Sequence, residues 1–267
     1  MSGSVRDGIF LCHRQSKMIT MKIAIITGGS RGLGASIALQ CAKRGIGVIL
    51  TYNSNPEAAA RVVASIEDEG GKAIALALDV GASASFPAFA QAIHDTLDKT
   101  WDRTDFDYLV NNAGYGAFTP IANVTEDEFD GLFKVHLKGP FFLTQALLPL
   151  IADGGHIVNI TSATCRVAFP GVAPYASFKG GLEVLTRYMA KEFGDRRIRA
   201  NSIAPGAIRT DLGGGLNDEF EALLAGQTAL GRVGEPDDIG CMVASLLSDD
   251  NRWINAQNIE VAGGYII

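Results

Sequence analysis

The chain has 267 residues, of which 47% are hydrophobic and 19% are charged, and its formal net charge is -6. A chain of this length and apolar content can bury an ample core, which excludes intrinsic disorder. The acidic balance and the lack of any basic run longer than Arg196-Arg197 argue against nucleic acid as a partner.

The sequence also argues against membrane insertion and export. The richest apolar stretch, Phe141 to Ile151, is interrupted by polar residues and by Pro149, and it is shorter than the roughly 18 residues needed to span a bilayer. Ile9 to Cys12 is too short for the core of a signal peptide. The four cysteines lie far apart, without histidines at metal-ligand spacing, which favours reduced thiols and no metal site. We therefore expect a soluble, cytoplasmic protein.

From Lys22 onward, short apolar runs alternate with longer amphipathic stretches, which is typical of a parallel sheet covered by helices on both faces. Seven strands are predicted at Lys22 to Thr27, Val48 to Tyr52, Ala73 to Leu78, Tyr108 to Asn111, His156 to Thr161, Arg199 to Ile203 and Asn258 to Val261. Six helices are predicted to begin near Gly32, Pro56, Ser83, Thr125, Pro174 and Pro236.

No linker or repeat interrupts the alternation, so we expect one doubly wound α/β domain over residues 21–267. Residues 1–20 are interpreted as a poorly ordered N-terminal extension. Thr210 to Gly234 breaks the strand-helix rhythm with three successive glycines and a short acidic helix, which predicts a mobile flap over a site.

The first strand leads directly into a glycine-rich turn and a helix, where ligands of doubly wound sheets bind. The turn reads Thr27-Gly28-Gly29-Ser30-Arg31-Gly32-Leu33-Gly34. Glycines there allow backbone N–H groups and the helix N-terminus to approach a pyrophosphate closely. The sequence therefore predicts a dinucleotide at this turn, although such turns are also found with a purely structural role.

The end of the second strand, Tyr52-Asn53-Ser54, carries no carboxylate to bind a ribose 2′-hydroxyl. Arg31 has a guanidinium suited to a 2′-phosphate, so the sequence favours NADP(H) over NAD(H). The alternative is that Arg31 is a solvated surface charge.

Polar residues follow the third and fourth strands as well. Asp79, before Val80, is placed to accept a hydrogen bond from an adenine amino group or to cap the next helix. The amides and small residues of Asn111-Asn112-Ala113-Gly114 suit backbone passing beneath a cofactor, or an ordinary turn.

Ser162, Tyr175 and Lys179 form the most informative combination. Pro174 opens a helix, so Tyr175 and Lys179 lie one turn apart on the same face, where the ammonium is expected to lower the pKa of the phenol. Tyr175 would then act as a general acid or base, and Ser162 would donate a hydrogen bond to a substrate carbonyl oxygen. Each residue alone has an ordinary structural interpretation, but the three together indicate a catalytic site.

These motifs, with Pro205-Gly206 and Thr210 after the sixth strand, resemble the short-chain dehydrogenase/reductase family over essentially Met21 to Gly264. The branch of 3-oxoacyl-carrier-protein reductases shares them all. The resemblance implies a Rossmann-type fold, a nicotinamide cofactor, hydride transfer between a carbonyl and an alcohol, and a homotetramer or homodimer. It implies that Tyr175 donates the proton, that Ser162 orients the carbonyl, and that Lys179 holds the ribose hydroxyls.

The residues assigned to the cofactor by motif and resemblance are Gly28, Ser30, Arg31, Gly32, Leu33, Gly34, Asn53, Asp79, Val80, Asn111, Ala113, Gly114, Tyr175, Lys179, Pro205, Gly206, Ile208 and Thr210.

Two positions depart from the family pattern. His136 stands where members usually carry an Asn that binds a relay water; an imidazole can replace it, with an added titration near neutral pH, or can merely fill the space. Ala262-Gly263-Gly264 replaces the usual Asp-Gly-Gly, which affects only a terminal turn or a subunit contact.

We expect an NADP(H)-dependent oxidoreductase acting on a small, uncharged, partly hydrophobic carbonyl compound or its alcohol. A 3-oxoacyl-carrier-protein reductase is one alternative, disfavoured because the flap carries Asp218, Glu219 and Glu221, whereas an acidic carrier requires a basic docking patch. A non-catalytic cofactor-binding regulator is another, motivated by His136. Arg166 is interpreted as a solvated charge or as a partner for a substrate carboxylate.

Overall fold

The computed structural model describes residues 21–267, so the expectation for residues 1–20 lies outside the described residues. Its strands are β1 (Ile23–Ile26), β2 (Gly47–Tyr52), β3 (Ala73–Ala77), β4 (Phe106–Asn111), β5 (Ile151–Ile160), β6 (Arg199–Pro205) and β7 (Asn258–Val261). Its helices are α1 (Gly32–Lys43), α2 (Pro56–Asp68), α3 (Phe86–Trp101), α4 (Glu126–Phe133), α5 (Gly139–Leu147), α6 (Ala173–Glu192), α7 (Asp218–Gly226) and α8 (Pro236–Leu246).

The strands form one parallel sheet in the order β3-β2-β1-β4-β5-β6-β7. The order reverses at β1, so β2 and β4 flank β1 and leave a crevice at the carboxyl ends of the strands. The predicted seven-stranded, doubly wound α/β domain is confirmed.

Two apolar cores lie on opposite faces of the sheet. Ile23 and Ile25 of β1 belong to the core that includes α3, α5 and α6, whereas Ala24 and Ile26 belong to the core that includes α1, α2 and α8. Because successive strand residues point to opposite faces, β1 is apolar at every position and completely buried. This burial fixes the strand ends that carry the site.

Helix starts follow the local sequence. Pro56 and Pro236 occupy the first turns of α2 and α8, and the side chains of Asn55 and Thr125 accept hydrogen bonds from the first turns of α2 and α4. Near Ser83, the predicted start is a short 3₁₀ turn, and the α-helix itself begins at Phe86.

The structure differs from the predicted elements in the middle of the chain. β5 begins at Ile151 instead of His156, and its register with β4 shifts between Phe106 and Tyr108, which accommodates Asp153 and two glycines as an irregularity. A π-helical turn, Lys134–Lys138, joins α4 to α5. Within residues 21–267, no helix has the combination of length and apolar character that crossing a membrane requires.

Candidate active site

A cavity of about 560 Å³ lies at the carboxyl ends of the strands, around the reversal of strand order. All of the predicted catalytic residues line it, and so do all of the predicted cofactor residues except Asn111. The structure thus brings together residues from Gly28 to Thr210 that are far apart in the chain.

The glycine turn between β1 and α1 has the backbone that a diphosphate requires. Gly28 and Gly32 have φ angles of +66° and +54°, and a Cβ on Gly34 would lie 2.1 Å from the carbonyl oxygen of Gly28. No described side chain caps the N-terminus of α1, so its first N–H groups remain available to a ligand. The turn therefore fits a dinucleotide pyrophosphate.

Asn112 holds this turn against β4. Its amide nitrogen donates to the carbonyl oxygen of Thr27 at 2.8 Å, and the Thr27 hydroxyl accepts from the backbone N–H groups of Asn112 and Ala113 at 2.9 and 3.0 Å. The sequence indicated Asn112 only as part of an amide-rich segment, and not as a residue that binds the glycine turn.

The rim next to β2 is lined by Asn53, Ser54 and Asn55, none of which is acidic. The side chain of Arg31 is 74% exposed and lies 4.0 Å from the exposed Asp211 of the flap. An exposed pair at this distance is weak, so the guanidinium is available to a phosphate. Asp79 lines the same cavity, and its carboxylate accepts from the backbone N–H of Gly81 at 2.8 Å.

Asn111 does not line the cavity, which corrects its predicted placement against the cofactor. Its side chain is buried and donates to Asn159 at 2.8 Å and to Thr144 at 3.3 Å. Asn159 donates in turn to Thr186 on α6. This buried polar network joins β4, β5, α5 and α6 beneath the site, and the only sequence signal was an Asn within an apolar strand.

Lys179 and Ser162 are fixed by contacts with the backbone. The Lys179 ammonium is buried and donates to the carbonyl oxygen of Ile160 at 2.6 Å, while lying 5.7 Å from the centre of the Tyr175 ring. The Ser162 hydroxyl accepts from the N–H of Thr164 at 3.2 Å. The end of β5 and the first turns of α6 therefore place the three side chains at one point of the cavity.

Burial controls the protonation of this group, and the expected lowering of the phenol pKa is wrong for this structure. Desolvation raises the pKa of Tyr175 to about 12, although the hydrogen bond with Ser162 opposes the shift. Desolvation lowers the pKa of Lys179 to about 8. The Lys179 ammonium donates to the Ile160 carbonyl oxygen.

His136 lies in the π-helical turn and is almost completely buried. Its Nε2 lies 2.8 Å from the carbonyl oxygen of Tyr115 and therefore donates to it, and its ring stands edge-on to Tyr175 with 5.0 Å between ring centres. Burial lowers the pKa of His136 to about 3, so the predicted titration near neutral pH is wrong. In the described residues, the buried Nδ1 atom has no hydrogen-bond partner.

Arg166 is exposed, as the interpretation as a solvated charge predicted, but its guanidinium is paired with protein groups. It donates two hydrogen bonds to the Glu260 carboxylate, at 2.8 and 2.6 Å, and it also donates to the carbonyl oxygens of Tyr265 and Ile266, each at 2.7 Å. The guanidinium is therefore engaged with β7 and the C-terminal residues, and it does not line the cavity.

The remaining walls are mainly apolar. The predicted flap contributes Leu216, Phe220 and Leu224. Phe169 and Val172, in the loop that follows Ser162, also line the cavity, whereas Val167 packs in a small core cluster. The wall residues that the sequence did not indicate are Tyr115, Phe118 and Tyr265.

Comparison with known proteins assigns the family. A family model described as enoyl-(acyl carrier protein) reductase matches residues 28–266. An uncharacterized oxidoreductase of Methylorubrum extorquens is 38% identical, over 91% of this chain and 97% of its own length. The hydroxynaphthalene reductase-like protein Arp2 of Metarhizium brunneum is 34% identical, over 92% and 95%.

Solved structures that resemble this chain support the same family. The angucycline C-6 ketoreductase LanV with bound NADP has a TM-score of 0.87 at 37% identity and covers 92% of this chain and 95% of its own. A blue fluorescent protein from a metagenomic library, in complex with NADPH, has a TM-score of 0.85 at 33% identity, with coverage of 92% and 98%. The fold and the site define a nucleotide-binding oxidoreductase. The chain belongs to the short-chain dehydrogenase/reductase family, as its motifs predicted.

Proposed function

We propose that the protein is an NADPH-dependent reductase that converts an uncharged aromatic or polycyclic ketone into its alcohol. The observation that carries this proposal is the placement of Ser162, Tyr175 and Lys179 in one cavity with the glycine-rich turn and an apolar wall. Relatives named as a ketoreductase and as a hydroxynaphthalene reductase-like protein support the substrate class.

The choice of NADPH follows from the charges at the β2 rim. Asn53, Ser54 and Asn55 offer amides and a hydroxyl to the nucleotide, and Arg31 offers a cation. A 2′-phosphate gains charge-assisted hydrogen bonds there and meets no carboxylate from β2.

The proposal of an aromatic ketone as substrate follows from the residues that line the rest of the cavity. Among the described residues that line the cavity, the only cations are Arg31 at the glycine turn and the buried Lys179. A substrate carboxylate would therefore be desolvated without a partner. Phe118, Phe169 and Phe220 offer flat apolar surface to an aromatic ring system instead.

The protein's own groups supply the proton side of the reaction. When bound, a nicotinamide would supply the hydride that reduces the carbonyl carbon. Ser162 orients the carbonyl oxygen, and the Tyr175 hydroxyl, which its raised pKa keeps protonated at neutral pH, gives its proton to that oxygen. The Lys179 ammonium stabilises the tyrosinate left behind, and solvent restores the proton.

We propose that His136 supports this arrangement in the place of the usual Asn. Its neutral ring fixes the carbonyl of Tyr115 on one side and the ring of Tyr175 on the other, and its Nδ1 is a free acceptor for a water.

A 3-oxoacyl-carrier-protein reductase receives less support. The first turn of α7 is acidic, and the nearby Arg209 is paired with Glu221 and Glu235, so the flap offers an acidic carrier no unpaired basic patch.

The proposal is tested by titrating the protein with NADPH and with NADH, then following NADPH oxidation with cyclic and aromatic ketones. We expect tighter binding of NADPH and turnover of bicyclic aromatic ketones. Binding without turnover across the panel would favour the regulator, and no binding of either nucleotide would contradict the proposal.

A further inference from the structure

The C-terminal residues fold back to close one wall of the cavity. After β7 the chain turns at Gly263 and Gly264, whose φ angles are +61° and +77°. It then pairs with the segment after α7: Ala229 N–H donates to the Gly264 carbonyl, and Ile266 N–H donates to the Gln227 carbonyl at 2.9 Å. An antiparallel bridge between Thr228 and Tyr265 completes the contact.

This fold-back places Tyr265 between two elements of the site. Its side chain is 5% exposed and packs with Ala163 and Val167, which follow the catalytic Ser162, and with Leu224 of α7. Tyr265 also lines the cavity. The ring is therefore held on both sides and has little freedom to turn away.

The hydroxyl of Tyr265 has no hydrogen-bond partner among the described residues of this wall. Among residues 21–267, no residue forms a hydrogen bond with this hydroxyl. Its oxygen is not fully buried, and Tyr265 lines the cavity. Partial burial raises the pKa of Tyr265, so the hydroxyl stays protonated at neutral pH and can donate. A donor fixed in an apolar wall favours a ligand that places an oxygen opposite it.

Arg166 holds the tail in this position. Arg166 lies in the loop that follows Ser162. Its guanidinium donates hydrogen bonds to Glu260 on β7 and to the carbonyl oxygens of Tyr265 and Ile266. Charge-assisted, two-pronged bonds of this kind restrict orientation as well as distance. Loss of these bonds would leave the backbone pairing with the segment after α7 as the remaining support of the tail, and it would not touch Tyr175.

We infer that Tyr265 is a specificity-determining residue: its hydroxyl binds a second oxygen on an aromatic hydroxy-ketone whose carbonyl lies at Tyr175, and Arg166 is the positioning residue that holds it there. This inference rests on the proposed function and narrows its substrate class from aromatic ketones to ring-hydroxylated ones.

The test compares Tyr265→Phe with the parent on α-tetralone and on its ring-hydroxylated analogues. In Tyr265→Phe, we expect the KM for at least one hydroxylated ketone to rise about tenfold more than the KM for α-tetralone, with kcat for both within a few-fold of the parent. Tyr188→Phe, which removes an exposed hydroxyl on α6, is the matched control. Equal effects on all ketones, or none, would overturn the inference.

Binding provides a readout that does not depend on turnover. Calorimetric titration with naphthalenediols and with a naphthol should show weaker diol binding by Tyr265→Phe and unchanged naphthol binding. If no ketone is reduced but this selective loss is seen, the proposed function fails and the Tyr265 subsite stands. If ketones are reduced without the loss, the proposed function stands and the subsite is refuted.

The role of Arg166 is tested by a double-mutant cycle. Arg166→Gln should raise KM for the hydroxylated ketone while leaving kcat within a few-fold, and Tyr265→Phe should then add little. The exposed Arg187, paired with Glu183 on α6, gives the control Arg187→Gln. Additive effects of Arg166→Gln and Tyr265→Phe would contradict the coupling.

Discussion

In the proposed function, the preference for NADPH depends on Arg31. Replacing it with alanine removes the cation from the β2 rim, so we expect NADPH affinity to fall by roughly 10- to 100-fold while NADH affinity changes little. Fluorescence titration of both nucleotides measures the ratio. Arg61→Ala, on the exposed side of α2, is the control. A parallel loss for both nucleotides would show that Arg31 supports the turn and does not read the phosphate.

The pH dependence of reduction should follow Lys179 and not His136. Because burial lowers the Lys179 pKa to about 8, its charge is lost as pH rises through that value, and kcat/KM should fall above it. His136, with a pKa near 3, should give no inflection near neutrality. A pH–rate profile from acid to alkaline buffers checks both statements; a rise above pH 8 would contradict the first.

Two substitutions distinguish a hydrogen-bonding role of His136 from a role in packing alone. His136→Asn keeps a neutral hydrogen-bonding side chain and should retain activity within a few-fold of the parent. His136→Phe fills the space without hydrogen bonds and should lose activity by at least about tenfold. Equal activity of the parent and His136→Phe, with both folded by circular dichroism, would leave only the packing role.

At the level of elements, the pairing of β5 with β6 contains a second buried imidazole. The Nε2 atom of His156 accepts from the Asn201 amide at 2.8 Å, and burial holds its pKa well below the usual value. The unfolded chain therefore binds more protons below about pH 6.5, so folding stability is present above that pH and is lost as pH falls.

We expect the Tm to fall between pH 7 and pH 5, and to fall less steeply in His156→Gln. His94→Gln is the control, because His94 lies on the outer side of α3 with a partly exposed side chain. Thermal melts across this range measure the slope. An unchanged slope in His156→Gln would show that other groups, including His136, govern the acid sensitivity.

A comparison of predicted and observed elements shows which features were predictable from the sequence. The glycine turn and the Tyr175–Lys179 pair were predictable because each is local and lies at a strand end. The predicted start of β5, at His156, was too late because Asp153 and its neighbouring glycines resemble a turn. Pairing with β4 overrides that local preference.

Contacts between distant segments had no local signal. Arg166 and Glu260 are 94 residues apart, and Asn111 reaches Asn159 across the sheet. Tyr265 enters the cavity only because the tail folds back on the segment after α7. The same long-range burial, and not sequence spacing, raised the pKa of Tyr175.

For the whole molecule, the expected homotetramer or homodimer remains a prediction. Helices α4 and α5 expose Phe129, Phe133, Phe141 and Phe142, which is an unusual concentration of aromatic surface. Phe141→Glu should shift the protein toward monomer in light scattering, whereas Lys99→Glu on α3 should not. An unaltered mass in Phe141→Glu would place the subunit contact elsewhere.

Proton donation by Tyr175 is the central claim, and the rate of reduction by Tyr175→Phe tests it most directly, with the deuterium label confirming that the alcohol arises by transfer from the nucleotide. With deuterated NADPH and a bicyclic ketone, the parent should give an alcohol labelled at the carbinol carbon. Tyr175→Phe should still bind NADPH but lose turnover by roughly 100- to 10,000-fold. Labelled alcohol formed at the parent's rate by Tyr175→Phe would contradict the account.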